Sequence, residues 1–398
     1  MSKINLNYKL SKSEIVRIVF GIVIVVGVFF IGLNIGNGNI SFVSNGLNNN
    51  LPNQLDYSSV NQEYQVLKAN FDGKLTQTQL LNGLKHGLAE ATNDPYTVYF
   101  TKAQEKAFND QLNNSFSGIG VELTENTQKQ IIIMAPLNGS PAAKAGLQPK
   151  DIIAAINGQS TSGMSLSSAS NKIRGKAGTK ITLTIIRNNK QINVTVVRQN
   201  ITVPSVNYKI LSGNIGYISI LTFANDTASL MQKAAQYMVS NHVKGIILDL
   251  RNNPGGLVTA AVATCSEWLK PGQEVMQERR GTQVLQTYHA TGGDILHGIP
   301  TVVLVNGGSA SASEITAGAL HDHHDAYLIG TKTFGKGVVQ QLIKLSDGGE
   351  LKVTIASWYR PDGQDIEKIG ITPDEVVNPA ANGTDNQLIA AENYLNSK

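Results

Sequence analysis

The chain has 398 residues, 41% of them hydrophobic and 16% charged, with 38 glycines. That length divides into two to three domains once non-globular stretches are set aside, and that composition excludes general disorder. The net charge of +4, from 33 basic and 29 acidic residues, comes without a Lys/Arg stripe interleaved with aromatics, which excludes nucleic acid as a partner.

Residues 18–35 carry no charge and are long enough to span a bilayer. Lys3, Lys9, Lys12 and Arg17 precede them against the single acid Glu14, and no Lys or Arg follows until Lys68. The positive-inside rule therefore predicts a cytoplasmic segment 1–17, a transmembrane anchor 18–35 and export of everything beyond it to the outside of the cell membrane. A cleavable signal peptide competes with this reading, but no Ala-x-Ala-like site follows the apolar run. The Asn/Gly/Ser-rich residues 36–61 read as a flexible tether.

Residues 62–114 form a small helical segment, with Thr76 and Gln79 as a capping box and Leu80, Leu84 and Leu88 as an apolar stripe. It breaks at the turn signal Asn93-Asp94-Pro95 and resumes toward Leu112. Residues 115–200 are a β-rich module of short strand-like runs around two helices. Its stretches 117–121 (Ser-Gly-Ile-Gly-Val) and 139–147 (Gly-Ser-Pro-Ala-Ala-Lys-Ala-Gly-Leu) resemble the PDZ domains of bacterial proteases. The resemblance implies that Gly118, Ile119 and Gly120 offer backbone N–H groups to a peptide's terminal carboxylate while the strand from Val121 pairs with the peptide. Residues 201–378 alternate strands and helices as an α/β core, in which Cys265, the chain's one cysteine, sits in an apolar run as a core residue and rules out an internal disulfide. Residues 379–398 read as a loosely ordered tail.

Chemistry concentrates in three places in this core. After the apolar strand Thr-Val-Val-Leu-Val-Asn, the residues Gly307-Gly308-Ser309-Ala310-Ser311-Ala312-Ser313-Glu314 lead directly into a helix. Such a junction exposes a nucleophile to backbone N–H groups and a helix N-terminus. Further on, Lys336 stands between Gly335 and Gly337 beside apolar strands, where desolvation favours the neutral amine that a general base requires. A Ser-Lys dyad needs no histidine. The third element, Asp249-Leu250-Arg251-Asn252-Asn253-Pro254-Gly255-Gly256, is a strand-to-helix turn whose glycine N–H suits half of an oxyanion hole.

These elements, with the PDZ-like module ahead of them, resemble the carboxy-terminal processing peptidases, the serine family that includes tail-specific proteases, from about Tyr64 to Val377. The resemblance implies an α/β protease core of the crotonase and Clp-protease kind with an inserted PDZ domain. It implies Ser311 as nucleophile, Lys336 as base and Gln340 as the residue that orients the lysine. It places the oxyanion donors at Ala312 and at Gly255 or Gly256, without deciding between the glycines, and calls for no cofactor. Protein or peptide substrates bound through the PDZ domain are the implied partners, with an adaptor or a second copy of the chain left open. The segment Asp365-Ile366-Glu367-Lys368 is more charged than the family's usual one.

Other chemistries are weaker. His321-Asp322-His323-His324-Asp325 has a metal-rich composition but falls at a helix C-terminus, where histidines meet the dipole and loop carbonyls, and no metal is expected. The Gly-x-Ser-x-Gly elbow of Ser-His-Asp hydrolases is absent. Lys332 is an alternative base with more solvated neighbours, and a catalytically inactive peptide-binding scaffold is the alternative function.

Overall fold

The computed structural model describes residues 51–398 apart from Asn53 and Asn382. The predicted anchor lies outside the described residues, and among those no helix is long and apolar enough to cross a membrane. The chain divides into two compact units, one running to Leu84 and taking in Leu345–Asp347, the other comprising Lys85–Lys344 and Gly348–Lys398.

The first unit holds helix α1 (Ser58–Asn70), none of whose residues is buried, and most of α2 (Gln77–Glu90). Thr76 caps α2 as predicted: Gln79 Oε1 accepts its N–H at 2.8 Å, and its hydroxyl accepts the Gln79 N–H at 3.2 Å.

In the second unit, β1 (Val98–Phe100) and α3 (Lys102–Leu112) come first. The predicted helical segment is thus interrupted by a strand, because Val98, Tyr99 and Phe100 pair with a distant strand of the core rather than with local sequence. The β-rich module follows: β2 (Ser115–Gly118), β3 (Val121–Glu125), β4 (Ile131–Pro136), α4 (Pro141–Lys144), β5 (Ile152–Ile156), β6 (Gln159–Ser160), α5 (Leu166–Ile173), β7 (Lys180–Arg187), β8 (Lys190–Val197) and β9 (Gln199–Thr202). Its main sheet runs β3-β4-β5-β7-β8, with β6 on β5, so β3 is an edge strand. The alternate residues Ile181, Leu183 and Ile185 of β7 join Ile131, Ile133 and Ile153 in a separate core, the period-2 signature of a half-buried sheet.

The α/β core comprises β10 (Val206–Leu211), β11 (Ile215–Ile220), α6 (Thr227–Ser240), β12 (Gly245–Asp249), α7 (Val258–Cys265), β13 (Glu274–Arg280), β14 (Gln283–His289), β15 (Thr301–Val305), α8 (Ala312–Asp322), β16 (Tyr327–Gly330), β17 (Val338–Lys344), β18 (Glu350–Tyr359), β19 (Glu375–Val376) and α9 (Asn386–Asn396). One sheet runs β10-β11-β12-β15-β16-β19 and is parallel from β11 onward; the other contains β1, β18, β13 and β14, with β17 on β18. Every residue of β12 and β15 is buried, as expected of parallel strands covered on both faces. Ile246, Leu248, Val303 and Val305 face the core shared with α6, α7 and α8, whereas Ile247, Val302 and Leu304 face Ala391 and Leu395 of α9. The C-terminal tail is therefore not loosely ordered: it is the helix that covers the second face of the sheet. Cys265 is fully buried, and burial pushes its thiol up to about 12.

Candidate active site

β12, β15 and β16 are adjacent and parallel, so the loops leaving their carboxyl ends converge at one edge of the sheet, the usual place for a site in such a fold. Those loops carry the three motifs singled out above.

Ser311 caps α8 in a sparsely populated conformation, φ 55° and ψ −115°, the kind of strained backbone that holds nucleophiles at strand-to-helix turns. Its neighbours are fully buried and committed elsewhere. Ser309 Oγ donates to Leu250 O at 2.7 Å and Ser313 Oγ donates to Asn253 O at 2.9 Å. The flanking serines thus stitch this loop to the 249–256 loop, and Ser311 is the one that remains partly exposed.

The carboxylate of Glu314, fully buried, collects four donors. Its Oε2 accepts the N–H groups of Ser311 (2.9 Å) and Lys336 (3.0 Å); its Oε1 accepts Gly335 N–H (2.7 Å) and Thr333 Oγ–H (2.5 Å). An acceptor-only carboxylate suits four converging donors. From sequence alone Glu314 stands at the helix start without a role; the signal for one is the Ser-x-x-Glu capping box, extended here to the lysine loop.

Lys336 is half-buried, and among the described residues its Nζ has no hydrogen-bond acceptor; it lies 4.9 Å from the centre of the Tyr96 ring. Burial, and then repulsion from Lys352, hold the amine below its ordinary value against the opposing charges of Glu367, Asp94 and Glu314. Gln340 does not reach the lysine; its Nε2 donates to Thr354 Oγ1 at 3.5 Å. Lys332 is exposed. The charged segment 365–368 has a place here, because Glu367 Oε2 accepts Gly337 N–H at 2.7 Å and Lys368 N–H donates to Gly335 O at 2.8 Å.

Gly255 has φ 97°, and a Cβ there would lie 2.8 Å from Ser311 Cβ and 3.0 Å from Ala312 N. Only glycine brings the loop this close to Ser311. Its N–H donates to Asn253 Oδ1 at 2.9 Å. The N–H groups of Gly256 and Ala312 have no acceptor among the described residues.

In the PDZ-like module, Gly118, Ile119 and Gly120 are buried, yet the N–H groups of Ile119 and Gly120 have no acceptor among the described residues. Buried backbone donors are rarely left unpaired without a purpose. They precede the open edge of β3, which begins at Val121. The histidine-rich turn is occupied by ion pairs: His321 Nε2 lies 3.1 Å from Asp374 Oδ1, and Asp322 pairs with Arg360. Among the described residues no cluster of His, Cys, Asp and Glu is placed to hold a metal.

Residues 214–377 match the model of Peptidase family S41, and residues 109–186 match that of the PDZ domain. The chain is 38% identical over 339 residues to a "Probable CtpA-like serine protease" of Staphylococcus aureus, covering 84% of this chain and 67% of that protein. A Staphylococcus saprophyticus protein of the same description is 34% identical over 395 residues, covering 99% of this chain and 78% of the relative. Among solved structures, the photosystem II D1 C-terminal processing protease aligns with a TM-score of 0.50 and 29% identity over 80% of this chain and 86% of that one. The chain belongs to peptidase family S41. It is a serine peptidase of the C-terminal processing type, with a PDZ domain ahead of its protease core, and it spans about two thirds of the length of the S. aureus relatives.

Proposed function

We propose that this chain is a membrane-anchored, extracytoplasmic serine endopeptidase that acts through Ser311 and Lys336 and selects substrates by their C-terminal regions. The observation that carries the reading is the shared tie of both residues' backbones to Glu314, which fixes the nucleophile loop against the base loop.

In the acylation step the neutral Lys336 amine takes the proton of Ser311 Oγ as that oxygen bonds to the substrate carbonyl carbon, and the carbonyl electron pair moves onto its oxygen. Gly256 and Ala312 donate their unpaired N–H groups to that oxyanion, while Gly255, whose N–H is engaged by Asn253, supplies the close approach. The carbonyl then re-forms, the peptide C–N bond breaks, and the Lys336 ammonium returns its proton to the leaving amine. Water repeats the sequence to release the acyl group, again with Lys336 as base. Gln340, one step along β17, swings from Thr354 to orient the amine, since catalytic hydrogen bonds often tighten only with substrate bound.

The substrate's terminal carboxylate docks on Ile119 and Gly120 N–H, and its last residues add a strand to β3. The relative named for C-terminal processing fits this substrate class. The charge step across residues 18–35 supports an anchored enzyme facing outward; protease added to spheroplasts should remove the exported part, and a protected domain would reverse the orientation. The catalytic reading is tested by incubating the protein and a Ser311→Ala variant with peptides ending in a free acid or an amide and mapping products by mass spectrometry. Cleavage by wild type alone, with the acid preferred, is expected; equal cleavage by Ser311→Ala would refute the nucleophile, and equal cleavage of acid and amide would remove the PDZ domain from selection.

A further inference from the structure

The catalytic lysine is seated by a part of the chain that lies more than two hundred residues ahead of it. The turn at Asp94 is fastened from several sides. Asp94 Oδ1 accepts Tyr96 N–H at 3.0 Å and Oδ2 accepts Thr97 Oγ–H at 2.6 Å, while Thr97 Oγ1 in turn accepts Thr354 N–H from β18 at 3.1 Å. Thr97 is buried, and β1 begins one residue later with Val98 paired to Lys352. The turn therefore moves with the sheet that carries Gln340 and Lys352, and not with the PDZ module that follows it in sequence. From this anchored turn Tyr96 places its ring 4.9 Å from Lys336 Nζ, an amine with no hydrogen-bond acceptor among the described residues.

We propose that Tyr96 is a positioning residue for catalysis, its ring face serving as the seat of the Lys336 amine between proton transfers. The proposal rests on the reading of Lys336 as the base. A cation over an aromatic face is stabilised by the ring quadrupole, and more so where water is excluded. The ring thus tempers the burial that drives Lys336 toward its neutral form, and it holds the side chain in place without a hydrogen bond that would have to break before the amine turns to Ser311. The other charges facing this amine are Lys352 from β18, which repels the ammonium, and Glu367 from the segment before β19, Asp94 from the turn and Glu314 from α8, which attract it. Among the described residues the amine bonds to none of the three carboxylates. The ring supplies stabilisation that is directional yet yields when the lysine swings. Asp94 acts through Tyr96: burial pushes its carboxyl up, but hydrogen bonds from Thr354, Thr97 and Tyr96 N–H and the charge of Lys336 outweigh this and hold it lowered, so the turn is fixed around a carboxylate.

The test is the pH profile of kcat/KM for the full chain and its Tyr96→Leu and Tyr96→Phe variants, with Tyr96→Met prepared should the leucine variant fail to fold. Removing the ring while keeping an apolar side chain withdraws stabilisation from the ammonium, so the ascending limb should move to lower pH by roughly half a unit to one unit. It should be accompanied by a fall in kcat larger than any change in KM, because the lysine loses its seat. Tyr96→Phe keeps the ring face and should keep the limb at the wild-type pH. A folded leucine or methionine variant whose limb stays at the wild-type position while only the rate drops would overturn the proposal, since that is the pattern of a merely structural residue. A phenylalanine variant shifted as far as the leucine variant would overturn it too, by assigning the effect to the hydroxyl. Failure of the underlying reading looks different: the wild-type profile would lack the limb, or Lys336→Arg would turn over substrate.

Discussion

The backbone N–H groups of Ser311 and Lys336 donate to one atom, Glu314 Oε2, at 2.9 and 3.0 Å. A shared acceptor fixes the separation of the two loops more tightly than two independent bonds, because neither N–H shifts without disturbing the other's partner. The buried carboxylate reaches two further donors in the lysine loop, Gly335 and Thr333, so the proposed nucleophile and base are presented on one braced frame.

Glu314→Gln replaces one carboxylate oxygen with an amide nitrogen that opposes N–H donors. We expect a stability loss on the order of 2–3 kcal/mol in denaturant unfolding. The fall in kcat/KM should be about 100-fold or more in the folded fraction, as expected when a catalytic pair is displaced. A variant with wild-type turnover would show that the frame does not set the geometry.

Gly255→Ala puts a Cβ 2.7 Å from Ala310 O and 2.8 Å from Ser311 Cβ at φ 97°. The loop must shift away from Ser311, the proposed nucleophile, so kcat should drop by on the order of 100-fold with a smaller effect on KM. Steady-state kinetics on a peptide substrate reads both.

Much of this arrangement was legible beforehand. The Ser-Ala-Ser-Ala-Ser-Glu junction, the Gly-Lys-Gly loop and the Asn-Pro-Gly-Gly turn are local signals with small residues where backbones approach, and they do end adjacent parallel strands. What the sequence hid was non-local. Val98, Tyr99 and Phe100 fall in the expected break of the helical segment and give no strand signal of their own, because their strand partners lie at Glu350, Leu351 and Lys352. Tyr96 reads as a turn residue until folding brings it to Lys336. The proposed preference for Gly256 over Gly255 as oxyanion donor rests on one N–H, that of Gly255, being engaged by the Asn253 side chain. The helix in the tail was foreshadowed by β12 and β15, whose unbroken apolar runs require cover on both faces, and by the spacing of Leu388, Ala391 and Leu395.

Leu395 is 8% exposed and packs under the sheet with Ile247, Val302 and Leu304. Leu395→Ala should therefore cost about 2–4 kcal/mol of stability, measured by urea unfolding, while leaving the turnover of folded molecules close to wild type.

Asp322, buried beside Arg360 and His321, is pushed up by burial but held below the ordinary carboxyl range overall by its hydrogen bonds to His321 and Arg360 and by the charge of Arg360. A lowered folded value means that its contribution is fully present above the unfolded value near about 3.9 and is lost as pH falls through the folded value. Asp322→Asn should flatten the acid side of the stability profile and, by leaving Arg360 without its closest partner, destabilise the protein by about 3 kcal/mol at neutral pH. Thermal melting across pH checks both effects.

The central claim is that the neutral amine of Lys336 deprotonates Ser311, and turnover by Lys336→Arg from about pH 6 to about pH 10 tests it most directly. An unperturbed lysine is charged across nearly all of that range; burial and the neighbouring Lys352 lower Lys336, so wild-type kcat/KM should rise with pH through a single deprotonation below the ordinary lysine value. A guanidinium stays protonated throughout, so the arginine variant should bind substrate yet show no cleavage above the Ser311→Ala background at any pH. Substantial turnover by Lys336→Arg, or a wild-type profile governed by a group near about 6.5 as for histidine, would contradict the account.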